Sequence, residues 1–215
     1  MLRDKIIGVL LALMVSVPAM AQSTIGWWDF DDGKAGVGFY SHGVSVGLPD
    51  LQGALDYSGN NYHMKGYNDS VGPKFSAIGT TPTGFGLSAQ FSGNQDGYCD
   101  YPDMVAWSPD QWTIELSYNL SAIGSNRTLI GRNDRAGYSG NALVASLYVQ
   151  VLGNGKLKVQ YVTTSDELIQ AISTPTLVTN KWYHSVITCD GTNIVFYLDT
   201  LDGNGLQVTD TLVIN

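Results

Sequence analysis

Between Trp112 and Asn119 apolar and polar residues alternate without a break. Trp112, Ile114, Leu116 and Tyr118 fall on one side, and Thr113, Glu115, Ser117 and Asn119 on the other. Successive side chains of a strand point to opposite faces of a sheet, so this stretch reads as a β-strand with one face in a core and one in water. No stretch keeps a helical period over three turns. Short β-branched or aromatic runs recur instead between turn residues, and 25 of the 215 residues are glycine. Such a chain is confined to an all-β sandwich or barrel. Two hairpins are legible. Leu147–Val151 and Lys156–Val162 flank Gly153-Asn154-Gly155, and Trp182–Cys189 and Asn193–Asp199 flank Asp190-Gly191-Thr192. Asn-Gly and Asp-Gly suit the positive φ angles of tight β-turns. Shorter candidate strands are Gly26–Phe30, Asn61–Lys65, Leu87–Phe91, Gly97–Tyr101 and Arg127–Gly131.

The first residues have a different character. Arg3 and Lys5 precede an apolar run from Ile6 to Val17, followed by Pro18 and Ala19-Met20-Ala21. A basic start, a short apolar stretch and a small-x-small site make a signal peptide over residues 1–21, and the run is too short to span a bilayer. The mature chain, 22–215, fits one domain. It carries no candidate transmembrane segment, and its expected location is extracellular, periplasmic or at the cell surface. The formal charge is −8 with only 14% charged residues. That composition argues against nucleic acid and anionic membranes, which attract basic proteins. In an exported chain the two cysteines, Cys99 and Cys189, suggest one disulfide, with two buried free thiols as the alternative.

A family resemblance emerges from an ordered set of motifs. Gly26-Trp27-Trp28-Asp29-Phe30-Asp31-Asp32-Gly33 is followed by Asp56-Tyr57-Ser58-Gly59-Asn60-Asn61-Tyr62, then by Leu87-Ser88-Ala89-Gln90-Phe91 leading to Gly97-Tyr98-Cys99-Asp100-Tyr101. Trp112-Thr113-Ile114-Glu115-Leu116, Lys181-Trp182-Tyr183-His184-Ser185-Val186 and Asp190-Gly191-Thr192-Asn193 running into Phe196-Tyr197-Leu198-Asp199 complete it. The chain resembles the laminin G-like jelly rolls of the concanavalin A-like lectin and glucanase superfamily. The resemblance implies a two-sheet antiparallel jelly-roll sandwich. It also implies a calcium ion at the sandwich edge, held by a first-strand acid, here Asp31, and by another from the last strand. Asp29, on the same side as Asp31, is the second candidate ligand; a solvated turn capped by these carboxylates is the alternative. The family has glycine where Thr200 follows Asp199, and it closes with a strand after a phrase such as G-x-I-D-E-V. The chain stops at Asn215 before any such phrase, so the expectation is a fragment lacking its closing strand.

Catalytic patterns are thin. Retaining glycosidases need two carboxyl groups about 5–5.5 Å apart, which on a strand means Glu-x-Asp-x-Glu or a near variant. The chain has only Glu115 and Glu167, and Ser117 and Asn119 follow Glu115 on its own face. His184, alternating with Trp182 and Val186, reads as a core histidine. Trp27, Trp28, Trp112 and Trp182 read as core aromatics, and the loop Arg132–Asn141 as a solvated connection or a rim of a ligand end. These features make catalysis unexpected. The polar face of Thr113, Glu115, Ser117 and Asn119, with Tyr148 or Trp107 as an aromatic platform, suits a glycan, which stacks on rings and bonds to amides and carboxylates. The expected function is a non-catalytic recognition or adhesion module for a glycan or a cell-surface or matrix protein. A structural spacer in a larger exported protein, or a hydrolase or lyase with an unusual site, are the alternatives.

Overall fold

The structure is a computed structural model. It describes residues 24–39, 53–66, 72–92, 97–98, 110–132, 147–163, 167–201 and 203–214. These contain twelve strands and no helix. Four are two-residue pairs near the N-terminus: β1 (Lys65–Gly66), β2 (Lys74–Phe75), β3 (Ala89–Gln90) and β4 (Gly97–Tyr98), with β1 against β4 and β2 against β3. The other eight are long: β5 (Trp112–Asn119), β6 (Arg127–Arg132), β7 (Leu147–Val151), β8 (Lys156–Val162), β9 (Leu168–Thr176), β10 (Trp182–Cys189), β11 (Asn193–Asp199) and β12 (Gln207–Val213).

The long strands make two antiparallel four-stranded sheets, ordered β12-β11-β10-β5 and β6-β7-β8-β9. One apolar cluster joins them. Ile114 and Tyr118 of β5, Ile187 of β10 and Ile194 and Phe196 of β11 meet Val149 and Val151 of β7, Leu157 and Val159 of β8 and Ala171 of β9. Residues spaced by two on each strand point into this shared core, so the sheets form a sandwich. The N-terminal segments have a smaller cluster of their own, Phe39, Ala54, Phe75 and Leu87.

At one margin the sheets are stitched together by a side chain. Asp210 of β12 stands opposite Phe196, in the inward register. Its carboxylate accepts the Thr174 backbone N–H of β9 at 2.7 Å and the Thr174 hydroxyl.

A pair of hydroxyls sits in the core. The Tyr118 hydroxyl and the Ser185 hydroxyl lie 2.8 Å apart, both buried. Burial pushes the Tyr118 phenol up to about 12, against the opposing pull of the Ser185 hydrogen bond. Removing one partner leaves the other hydroxyl buried and unpaired. Tyr118→Phe and Ser185→Ala are each expected to cost about 1–2 kcal/mol, and the double variant less than their sum. Urea unfolding of the three variants checks this, and strict additivity would remove the pairing.

Candidate functional site

The polar residues of β5 are where alternation puts them. Thr113, Glu115, Ser117 and Asn119 face away from the core, opposite Thr188, Val186, His184 and Trp182 of β10 respectively. His184 is not a core histidine. On β10 the buried set is Tyr183, Ser185, Ile187 and Cys189, and His184 stands on the other side with Nε2 2.9 Å from Glu115 Oε1. Both faces of β10 carry apolar residues, so alternation alone does not choose between them. Each partner satisfies the other, and the neighbours of Glu115 on β5 are hydroxyls and an amide rather than a second carboxylate.

Tyr148 does not join this face. On β7 the inward residues are Val149 and Val151, so Tyr148 and Gln150 point outward from the other sheet, on the opposite surface of the sandwich. There it heads a row that crosses the strands: Gly131 of β6, Tyr148 of β7, Gln160 of β8 and Gln170 of β9 are successive register partners. A Cβ on Gly131 would sit 2.7 Å from the Tyr148 ring, so the ring lies over the bare glycine backbone. A second row runs beside it, Thr128, Gln150, Lys158 and Ile172.

Hydrogen bonds fix the polar members. Gln150 Nε2 donates to Thr128 Oγ1 at 3.1 Å. Gln160 Oε1 accepts from Lys158 Nζ at 2.7 Å and from Gln170 Nε2 at 3.2 Å. Gln160 is buried although it points outward, because its neighbours cover it. Partial burial holds the Lys158 ammonium below its ordinary range. The result is a flat phenol flanked by oriented amides and one cation on a rigid sheet. The four residues beside Tyr148 were readable only through register. The tight turn at Gly153-Asn154-Gly155 fixes Tyr148 against Gln160, but β9, which supplies Gln170, has no comparable signal.

A laminin G family model, described as the Concanavalin A-like lectin/glucanases superfamily, matches residues 92–213. The chain belongs to this superfamily. The match spans both four-stranded sheets and the Tyr148 rows. No curated protein and no solved structure matches the chain.

The superfamily resemblance also implied an edge calcium at Asp31 and Asp29. Among the described residues no three His, Cys, Asp or Glu side chains are grouped to hold a metal ion. The N-terminal carboxylates organise backbone instead. Asp29 Oδ1 accepts the Asp31 N–H at 3.1 Å, Asp31 Oδ1 the Leu87 N–H at 2.9 Å and Asp32 Oδ2 the Leu55 N–H at 2.7 Å. Calcium takes six to eight oxygens. This donor set does not by itself form such a cage.

Cys189 is buried and free, so the expected bridge to Cys99 is not formed. Its inward position on β10 puts Sγ 3.8 Å from both the Tyr161 hydroxyl and the Asp110 carbonyl oxygen. Burial, and then the neighbouring thiol, push the Tyr161 phenol well above its ordinary range. Cys99, Trp107, residues 133–141 and the signal peptide lie outside the described residues. So does Gly43-Val44-Ser45-Val46-Gly47. It spells Gly-x-Ser-x-Gly, a motif that needs a strand-to-helix turn to expose its serine. Of the four expected core tryptophans, Trp112 is in the inter-sheet core and Trp28 packs on the smaller cluster. Trp182 faces outward from β10, and Trp27 is exposed.

Proposed function

We propose that this chain is a non-catalytic glycan-recognition module of an exported protein, with its ligand on the outer face of the β6–β9 sheet. The observation that carries this reading is the Tyr148 ring laid over Gly131 and flanked by Gln150, Gln160, Gln170 and Lys158. A sugar presents an apolar C–H face and a rim of hydroxyls. The ring meets the first, and the Gln150 and Gln170 amides and the Lys158 ammonium meet the second, with Gln160 buried beneath them. Thr128 already orients Gln150, and Gln160 orients Gln170 and Lys158, which lowers the ordering cost on binding. Export rests on the N-terminal segment, with the mature chain beginning at Gln22. Among the described residues no helix is long and apolar enough to cross a membrane.

The test is a glycan array followed by titration of the best ligand. Wild type is expected to bind at least one polysaccharide, and Tyr148→Ala to bind it at least about tenfold more weakly, a difference of about 1.4 kcal/mol. Failure to bind any glycan supports a spacer role instead. The same preparations are assayed for β-glucan hydrolysis. No turnover above buffer is expected, since Glu115 has His184 beside it rather than a second carboxylate; robust turnover lost in Glu115→Gln overturns the non-catalytic reading.

A further inference from the structure

A second surface lies outside the family match. Trp27 and Tyr57 are 57% and 47% exposed, and their rings touch with centroids 5.9 Å apart at 58°. They form an open wedge on a braced backbone. Tyr57 N–H donates to the Trp27 carbonyl at 2.8 Å, and Trp27 N–H donates to Asp56. From Trp27 the chain passes through Asp29, Asp31 and Asp32, and the Leu55 N–H ties Asp32 back beside Tyr57.

The segment 76–88 is held against the Asp31 carboxylate through the Leu87 N–H and the bare Gly86 backbone. This segment presents Ile78 and Phe85, 79% and 81% exposed. It is braced internally by Gly79 N–H to the Gly86 carbonyl and by the Ser88 hydroxyl to the Thr80 carbonyl. Exposed apolar side chains from two separate segments therefore lie near the same carboxylates. Isolated exposed apolar residues need no explanation, but a rigid set rimming charge does.

The local charge is negative. Burial first, and then Asp32, Asp29 and Asp31, raise the Tyr57 phenol, so each charge acting on it is an anion. Lys34 lines the same cleft as Asp31, Ile78 and Leu87. Asp32 Oδ1 is buried with no hydrogen-bond partner.

We propose that this surface docks a partner protein through a lysine or arginine side chain flanked by apolar residues. The cation sits over the Trp27–Tyr57 wedge, and its apolar neighbours lie against Ile78 and Phe85. A cation on an aromatic face gains from the ring quadrupole, and the carboxylates add Coulomb attraction. The wedge is open on one side, so it does not enclose a small free cation. Affinity must come from flanking contacts on the same partner chain. Arginine suits it better than lysine, because a planar guanidinium stacks on a ring. This surface is separate from the glycan face and goes beyond that reading.

The probe is the peptide Ac-Leu-Arg-Leu-NH2, titrated into the mature chain and read from the Trp27 indole N–H signal in NMR spectra. The expected result is a saturable shift. Binding should weaken about fivefold when citrulline replaces arginine, and by about as much in Asp29→Asn/Asp31→Asn. In that variant each amide oxygen still accepts the same backbone N–H, so the fold is kept while the charge is lost. Glycan binding by the variant stays at the wild-type value. Three results each overturn the proposal: no shift, equal affinity for the citrulline peptide, or an equal shift from calcium chloride at matched ionic strength.

Discussion

Asp56→Ala is expected to destabilise the N-terminal segments by about 3 kcal/mol, a large loss for one exchange of a polar side chain. The carboxylate is buried and accepts four hydrogen bonds. Oδ1 takes the Trp27 and Ser58 N–H groups, both at 2.9 Å, and Oδ2 takes the Ser58 hydroxyl at 2.7 Å and the Tyr62 N–H at 3.0 Å. Alanine strands these donors at once. Asn60 Nδ2 adds bonds to the Thr24 and Ile25 carbonyls, so the Asp56–Tyr62 turn clamps the segment that enters the fold. Burial alone would raise the Asp56 carboxyl. The hydrogen bonds from Trp27, Ser58 and Tyr62 outweigh it and hold the carboxyl below its ordinary value. A depressed carboxyl stabilises the fold above the unfolded value of about 3.9, and that stability is lost as pH falls through the folded value. Urea unfolding at pH 7 and pH 3 checks both parts. The difference between wild type and Asp56→Ala should shrink on acidification, and amide exchange at Trp27, Ser58 and Tyr62 should accelerate in the variant. A variant as stable as wild type at pH 7 would remove the clamp.

Phe196→Ala is expected to cost about 3–5 kcal/mol in the sandwich. Phe196 is fully buried on β11 and points into the space between the sheets. It already borders a small void with Leu157 of β8, Ser173 and Pro175 of β9, and Leu198 and Thr209. Strands of both sheets frame that void, so collapse onto a missing ring requires both to shift. The cost therefore includes a cavity as well as lost transfer energy. Val195→Ala, one position away and facing out, is the control and should cost less than about 1 kcal/mol. Urea denaturation of both variants measures the contrast. Equal values for the two would mean that the inward register of β11 is wrong.

The elements legible in the sequence are those where two local signals agree. β5, β7, β8, β10 and β11 have the bounds that alternation and turn residues indicate. Asn154-Gly155 and Asp190-Gly191 fix the hairpin registers, and Gly155 and Gly191 have φ of +80° and +90°. β9 and β12 had no such support. Both are last in their sheets among the described residues, β9 contains Pro175, and β12 is mostly exposed, so neither shows a clean apolar face. Gly26–Phe30 is not a strand. Phe30 has φ +60°, and the segment is held by Asp56 and Asp32 through bonds between residues more than twenty apart. No window of sequence contains both ends of such a bond. The candidate site divided for the same reason. Tyr148 and Glu115 both face water, but only the sheet order shows that they do so on opposite surfaces.

The stitch between Asp210 and Thr174 bears on how copies of this chain behave side by side. The last strand of a sheet offers a row of unused N–H and C=O groups, a template for another chain to extend the sheet and begin a fibril. On β9 that template is interrupted. The Thr174 N–H is occupied by a carboxylate, and the next residue, Pro175, has no N–H to offer. The carboxylate comes from β12, so one anion turned inward both closes the sandwich and denies an incoming strand its footing. Wherever copies of this chain are concentrated, this margin discourages their addition edge to edge.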